Sequence, residues 1–360
     1  NGIISCLGKQ CQAPQNALVI DASGKSIVPG LIDLHGHFFG GKARDPEQSI
    51  LGTIWEQYRY LPSVRMSLIE SGVTSYRSLG DVMPHIVNLK DNLANQCLAG
   101  PRLFIAGPIF TVNGGHPTNK AGIPEWVLEN LTVQSDDPEY VTEKVNALAK
   151  LGVDGIKVIY QSHIDEKGNV TMPRMSQNTL SAIVKAAQKN NMWVAAHTGS
   201  TEETEQAIAA GITTIEHGVR HGNLVSDALL QQILSNNIVY VPTLGKEPQG
   251  HLNIPALYQS GINLGVGTDS PVKTKNGYSY HNELARMVNA GVPHAAALLA
   301  ATRNGALALG KADKMGTIET GKFADLLIVD GQPWQNIREL QNIDMVVIDG
   351  RIAVDNRTHL

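Results

Sequence analysis

Short β-branched apolar runs alternate along most of this chain with longer amphipathic or alanine-rich stretches. That alternation leaves few folds open, because a repeating strand–helix unit specifies a parallel sheet covered by helices. Eight runs have this character: Leu31–His37, Val73–Leu79, Arg102–Gly107, Gly155–Tyr160, Trp193–Thr198, Thr213–His217, Ile238–Leu244 and Asn263–Asp269. Eight strands in that order predict an α/β fold, a TIM-like (β/α)8 barrel. Helices are expected at Pro138–Lys150, at Gln177–Asn190 behind a Ser176 cap, and at Glu202–Ala210, with Gly152 and Gly211 turning the chain into the next strand.

The two ends lack this rhythm. Ala17–Pro29 reads as strand, turn at Ser23-Gly24, strand. Beyond an alanine-rich helix over Pro293–Leu309, the tail carries strands at Phe323–Asp330 and Met345–Val354, with Asp349-Gly350 as a hairpin turn. The expected organisation is a barrel over 30–310 and a small β-sandwich domain built from 1–29 plus 311–360. The Gly-, Pro- and Asn-rich segment Gly107–Asp137 is long for a connection and is a candidate cover for an active site.

With 360 residues, 42% of them hydrophobic and 17% charged, the chain can bury one large core. A net charge of −4 removes the basic footprint of a nucleic-acid binder. No apolar stretch reaches the roughly 18 residues of a membrane-spanning helix, and no cleavable leader is visible. The expected partner is therefore a small-molecule substrate, with no nucleic acid and no membrane, and homo-oligomerisation is left open. The chain starts at Asn1 without a methionine, so an N-terminal part of the small domain is expected to be missing, and the expected compartment is the cytoplasm. Cys6, Cys11 and Cys97 match no metal ribbon; free thiols are expected in preference to a Cys6–Cys11 bridge.

In such a barrel the C-terminal strand ends converge on one face, so ligands from different strands can meet there. The first strand ends in His35-Gly36-His37, whose alternation sends both imidazoles to the same side. Lys157 interrupts the apolar fourth strand, His197 ends the fifth, His217 the sixth and Asp269 the eighth. Singly, each has a structural explanation: a turn-forming Asp, a snorkelling Lys, a core His. Chance would have scattered them instead of placing them at five strand ends. His85, His251, His281, His294 and His359 have no such placement and are assigned surface or structural roles.

Val28-Pro29-Gly30-Leu31-Ile32-Asp33-Leu34-His35-Gly36-His37 resembles the strand-one signature of the metal-dependent amidohydrolase superfamily, and Gly316-Thr317-Ile318-Glu319-Thr320-Gly321-Lys322-Phe323-Ala324-Asp325-Leu326 resembles its return into the small domain. Within it, the chain is most similar to the branch of imidazolonepropionase and the prolidase-like dipeptidases. The resemblance implies two divalent metal ions, zinc by ligand type. His35, His37 and Asp269 would hold one, His197 and His217 the other, and carbon dioxide would convert Lys157 to a bridging N6-carboxylated lysine. Burial favours the neutral amine that adds carbon dioxide, and the resulting carbamate offers two oxygens to ions about 3.5–4 Å apart.

The expected reaction is cleavage of a C–N amide bond in a dipeptide, N-acyl amino acid or cyclic amide. A metal-bridging hydroxide attacks, and Asp269 shuttles the proton to the leaving nitrogen. His116, in a Gly-Gly-His-Pro loop, is a second catalytic candidate, reaching the scissile carbonyl; Tyr160, His163 and His221 are candidate substrate contacts. Arg77 and Lys246 are candidate anchors for a substrate carboxylate. Glu216 is set aside, since alternation turns it away from His217. The alternatives are a mononuclear deaminase, which has no use for Lys157, a lactone hydrolase, and a scaffold without catalysis.

Overall fold

In the computed structural model, which describes residues 2–38, 50–120, 123–220, 225–269, 273–274 and 277–357, the first seven runs form strands. Leu31–Gly36, Val73–Ser78 and Arg102–Ile105 make one parallel sheet. A six-stranded parallel sheet runs from Val239–Val241 through Thr214–Glu216, Trp193–His197, Gly155–Ile159 and Ile109–Thr111 to Thr132–Gln134. Backbone bonds join the two sheets at both seams. At one, Asp154 donates to the Ile105 carbonyl (2.9 Å); at the other, Leu34 donates to Val266 (2.8 Å) and Gly265 to Tyr240 (2.9 Å). The result is a TIM-barrel-like α/β fold.

The eighth run departs from expectation: Asn263–Asp269 makes only an isolated bridge, Leu264 to Tyr240, and no regular strand. Its glycines explain why it still serves as a seam. A Cβ on Gly267 would lie 2.6 Å from the His35 Cβ, and one on Gly265 would lie 2.5 Å from Leu34 Cδ1. The segment therefore presses its bare backbone against the first strand instead of running in an even ladder.

Alternation decides what each strand buries. Ile156 and Val158 face outward into the main core with Ile183 and Val184 of the covering helix Gln177–Lys189, leaving Lys157 on the opposite, inner side. Each such aliphatic burial contributes about 1.5–3 kcal/mol. The helices begin where capping chemistry allows. Asp137 accepts from the amides of Glu139 and Tyr140 at the head of Pro138–Lys150, Ser176 caps Gln177–Lys189, and Ser200 and Glu203 form a capping box on Thr201–Ala210, which ends at left-handed Gly211 (φ 96°).

The expected single helix over Pro293–Leu309 is two, His294–Ala301 and Arg303–Ala308, broken at Thr302 (φ −131°, ψ −87°). The second piece is pulled onto the first strand: Gly305 packs against Ile32, and Asn304 Nδ2 donates to the Leu264 carbonyl (2.9 Å). Gly107–Asp137 is not a bare loop either, for it carries strands at Ile109–Thr111 and Thr132–Gln134 and a helix at Glu125–Leu131.

Both termini do meet in one antiparallel sheet, ordered Ser26–Pro29, Leu326–Val329, Ile343–Ile348, Arg351–Asp355, with Asp349 and Gly350 (φ 52° and 69°) turning the last hairpin. A second, facing sheet, which a sandwich requires, is absent among the described residues. The strand expected at the start of Ala17–Pro29 does not form, and Leu18 and Val19 stay about three-quarters exposed. Cys6 and Cys11 are joined in a disulfide, contrary to the expected free thiols, because a tight turn in which Cys11 donates to the Gly8 carbonyl folds one back onto the other. Cys97 is free and exposed. No helix of the described residues is long and apolar enough to cross a membrane.

His281 proves structural, being 5% exposed, and burial lowers its pKa to about 4. Folded protein thus keeps it neutral where an unfolded chain, with a pKa near 6.5, takes up a proton. Stability from this residue is complete above about pH 6.5 and is lost as pH falls towards 4, on the order of 3 kcal/mol in all. Urea titrations from pH 7 to 4 are expected to show this acid limb flattened in His281→Gln.

Candidate metal centre

The strand ends bring His35, His37 and Asp269 together, with one ligand atom from each lying within 4.8 Å of the others. Asp269 Oδ1 is 3.3 Å from His37 Nε2 and 3.7 Å from His35 Nε2. Its place is fixed by the backbone, since Asp269 N donates to the His35 carbonyl (2.8 Å) and its φ of 43° turns the side chain inward. His37 Nδ1 donates to the Gly80 carbonyl (2.8 Å), which turns Nε2 towards Asp269. His217 sits between the neighbouring rings, tilted against His35 at 4.8 Å and edge-on to His197 at 4.3 Å by centroid, and its Nδ1 meets Thr243 Oγ1 at 2.6 Å. His116 stacks on His197 at 5.4 Å. His197 Nε2 lies 2.7 Å from Gln161 Oε1 and 2.8 Å from Arg220 Nη2.

Lys157 is 2% exposed, and its Nζ has no hydrogen-bond partner among the described residues. Burial lowers its pKa to about 8. Four imidazoles are held neutral: burial takes His35 to about 4 and His116 to about 3, and holds His197 and His217 well below the ordinary value. His37 goes the other way, since burial would lower it but the Asp269 carboxylate beside it raises it. Burial would raise Asp269, but the surrounding histidines hold its carboxyl well below the usual range. Neutral imidazoles, an ionised carboxylate and an orphaned buried amine are the donor chemistry that divalent cations and a carbamate take up, so the residues present fit the metal group.

Several expectations need correction. Tyr160 is turned into the core and donates from its hydroxyl to Gln206 Oε1 (2.7 Å) beneath Arg174, so it does not line the site. His163 is exposed on a small hairpin and pairs with Thr171 Oγ1 (2.6 Å), away from the histidine cluster. His221 and His359 lie outside the described residues. Lys246 is exposed in the turn after Thr243. Arg77 is no anchor: it is fully buried and bonded to Leu34 O, Thr214 Oγ1 and Glu216 Oε1.

Glu216, set aside on alternation, faces the interior and reaches His35 Nδ1 at 2.7 Å. Thr214 and Glu216 are inward by the ordinary pleat; the irregularity is His217, whose φ of 66° brings it inward as well. Burial would raise the Glu216 carboxyl, but the Arg77 charge and the His35 bond hold it down at about 2. Arg220 is the other residue missed. Its guanidinium spans Glu247, Gln161 and His197, and its Nε is buried without a partner among the described residues.

The sequence profile of the amidohydrolase family matches residues 26–353. The chain belongs to that family. This amidohydrolase is 24% identical to an imidazolonepropionase of Deinococcus deserti, over 94% of this chain and 86% of that protein. It is 25% identical to a 5-methylthioadenosine/S-adenosylhomocysteine deaminase of Thermoanaerobacter pseudethanolicus, over 94% and 84%. It superposes on the solved structure of a Xaa-Pro dipeptidase with methionine bound in its active site at a TM-score of 0.82, with 29% identity, covering 98% of this chain and 92% of that one. The amidohydrolase thus falls in the imidazolonepropionase/prolidase-like branch and is a hydrolytic enzyme acting on C–N bonds.

Proposed function

We propose that this amidohydrolase is a binuclear zinc hydrolase that cleaves an amide in a substrate carrying a carboxylate close to the scissile bond, such as a dipeptide or an N-acyl amino acid. The observation that carries the binuclear reading is Lys157, a buried amine with no partner among the described residues, aligned across the sheet with the strand that ends in His197. Left as an ammonium it is a destabilising orphan; as an N6-carboxylated lysine it would offer anionic oxygens of the kind divalent cations take. His35, His37 and Asp269 would hold one cation and His197 and His217 the other. When bound, the pair supplies Lewis acidity, lowering the pKa of a shared water towards neutrality and polarising the scissile carbonyl.

The rest falls to the chain's own groups. Asp269 Oδ1, held ionised, takes the proton of the attacking water and returns it to the leaving nitrogen. His116, kept neutral by burial, is available to donate a hydrogen bond to the carbonyl oxygen as it gains charge. Arg220 takes over the role first expected of Arg77, its Nε, which has no partner among the described residues, being free for an anionic oxygen of the substrate. Wild-type enzyme is expected to hydrolyse N-acetyl amino acids at least about 100-fold faster, by kcat/KM, than the matching carboxamides, and Arg220→Met is expected to remove that preference. Equal rates on the two series would remove the carboxylate from the reading.

The tight three-residue group His35, His37 and Asp269 favours a second reading, a one-metal deaminase or a lactone hydrolase. Ammonia release from aminopurines by protein holding one zinc per chain would establish the deaminase; turnover of lactones alone would establish the lactonase.

A further inference from the structure

Arg77 and Glu216 form an ion pair in which neither side chain reaches solvent, with Nη2 and Oε1 2.6 Å apart. Burying two charges repays its desolvation cost only when every remaining donor and acceptor is met, and an apolar pair of similar volume would fill the space as well. Here the set is nearly complete. Arg77 Nε donates to the Leu34 carbonyl (2.5 Å) and Nη1 to Thr214 Oγ1 (3.1 Å), while the Thr214 hydroxyl donates to Glu216 Oε1 (2.6 Å). One guanidinium thereby ties the first, second and sixth strands together from inside. The remaining Glu216 oxygen, Oε2, is spent on His35 Nδ1 at 2.7 Å.

We propose that Glu216 is a positioning residue that fixes the tautomer and ring orientation of His35, with Arg77 as the buried counter-charge that keeps it anionic. An ionised carboxylate only accepts, so the proton of His35 must sit on Nδ1, and the lone pair is left on Nε2, the atom 3.7 Å from Asp269 Oδ1. His37 leans on a carbonyl and His217 meets a hydroxyl. Among the described histidines of the cluster, His35 alone is backed by a carboxylate, which raises its basicity as a ligand. The cation held by His35, His37 and Asp269 is therefore the tighter of the two. The inference rests on the reading of His35 as a metal ligand.

The test uses the full chain in four forms: wild type, Glu216→Gln, Arg77→Met, and the double variant Arg77→Met with Glu216→Leu. Zinc affinity is measured by competition with a chromophoric chelator, and the His35 tautomer by ring-nitrogen NMR on the metal-free protein. Glu216→Gln is expected to weaken the tighter zinc by about 10–100-fold. Either single change leaves an unpaired buried group and can lower the melting temperature; the apolar double variant restores it. Zinc binding in the double variant is expected to stay about 10–100-fold weak, with the His35 proton no longer confined to Nδ1. A double variant that binds zinc as tightly as wild type, or that keeps the Nδ1–H tautomer, overturns the proposal. Wild-type protein that takes up no zinc overturns the metal reading instead, and the NMR measurement on that same protein still decides the tautomer.

Discussion

Asp269→Asn is expected to lower kcat by about 100- to 10,000-fold while leaving the fold intact, the range by which positioned proton transfer accelerates such reactions. The replacement keeps the size of the side chain and removes its charge. It spares the backbone bond from Asp269 N to the His35 carbonyl, so the eighth segment stays docked on the first strand. What is lost is an oxygen that is ionised, 3.3 Å from His37 Nε2, and able to carry a proton between water and leaving group. Steady-state kinetics on an N-acetyl amino acid, set beside circular dichroism of the same preparation, measure the two effects separately. Wild-type turnover in a well-folded Asp269→Asn protein would remove this carboxylate from the chemistry.

Lys157→Met is expected to have an effect of similar size by a different route. Zinc content should fall from two to one per chain, and kcat by about 1,000-fold, the several kcal/mol that a second Lewis acid contributes. Stability should move the other way: a buried ammonium without partners among the described residues is exchanged for an apolar side chain of nearly the same length, so metal-free variant should melt no lower than metal-free wild type. Elemental analysis and calorimetry measure these outcomes. Wild-type enzyme stripped of carbon dioxide provides the chemical counterpart. Because the amine reacts only when unprotonated and its pKa is about 8, reactivation by bicarbonate should be faster at pH 8 than at pH 7. A Lys157→Met protein that retains two zinc ions and full turnover would end the bridging role.

The strands and their functional ends were legible because period-two burial acts locally: a lysine between Ile156 and Val158, both packed outward, has only the interior to face. The same rule misled at Glu216. It assumes an unbroken pleat, and the left-handed turn of the backbone at His217 lets two successive residues face inward. Arg77 was misjudged for a related reason. Its partner lies four strands away around the sheet, and no spacing along the chain announces a pairing made across an interior. Tyr160 looked like a site residue because it follows the functional end of a strand, but the outward side of that strand end is already core. The break at Thr302 and the irregular eighth segment both follow from the closeness of Gly305 and Gly267 to the first strand, a tertiary demand that local helix and strand preference does not encode.

The site is also late in time. His35 receives its neighbour Asp269 from the far end of the barrel, and Ser26–Pro29 pairs with Leu326–Val329, which is synthesised much later than its partner strand. A chain emerging from a ribosome therefore exposes an unpaired first strand and unligated imidazoles until those later segments have been made. Closing such long loops is the slow part of assembly. Ions captured early by His35 and His37 alone would be held by two nitrogens, so faithful loading waits until Asp269 has been made and has docked on the first strand.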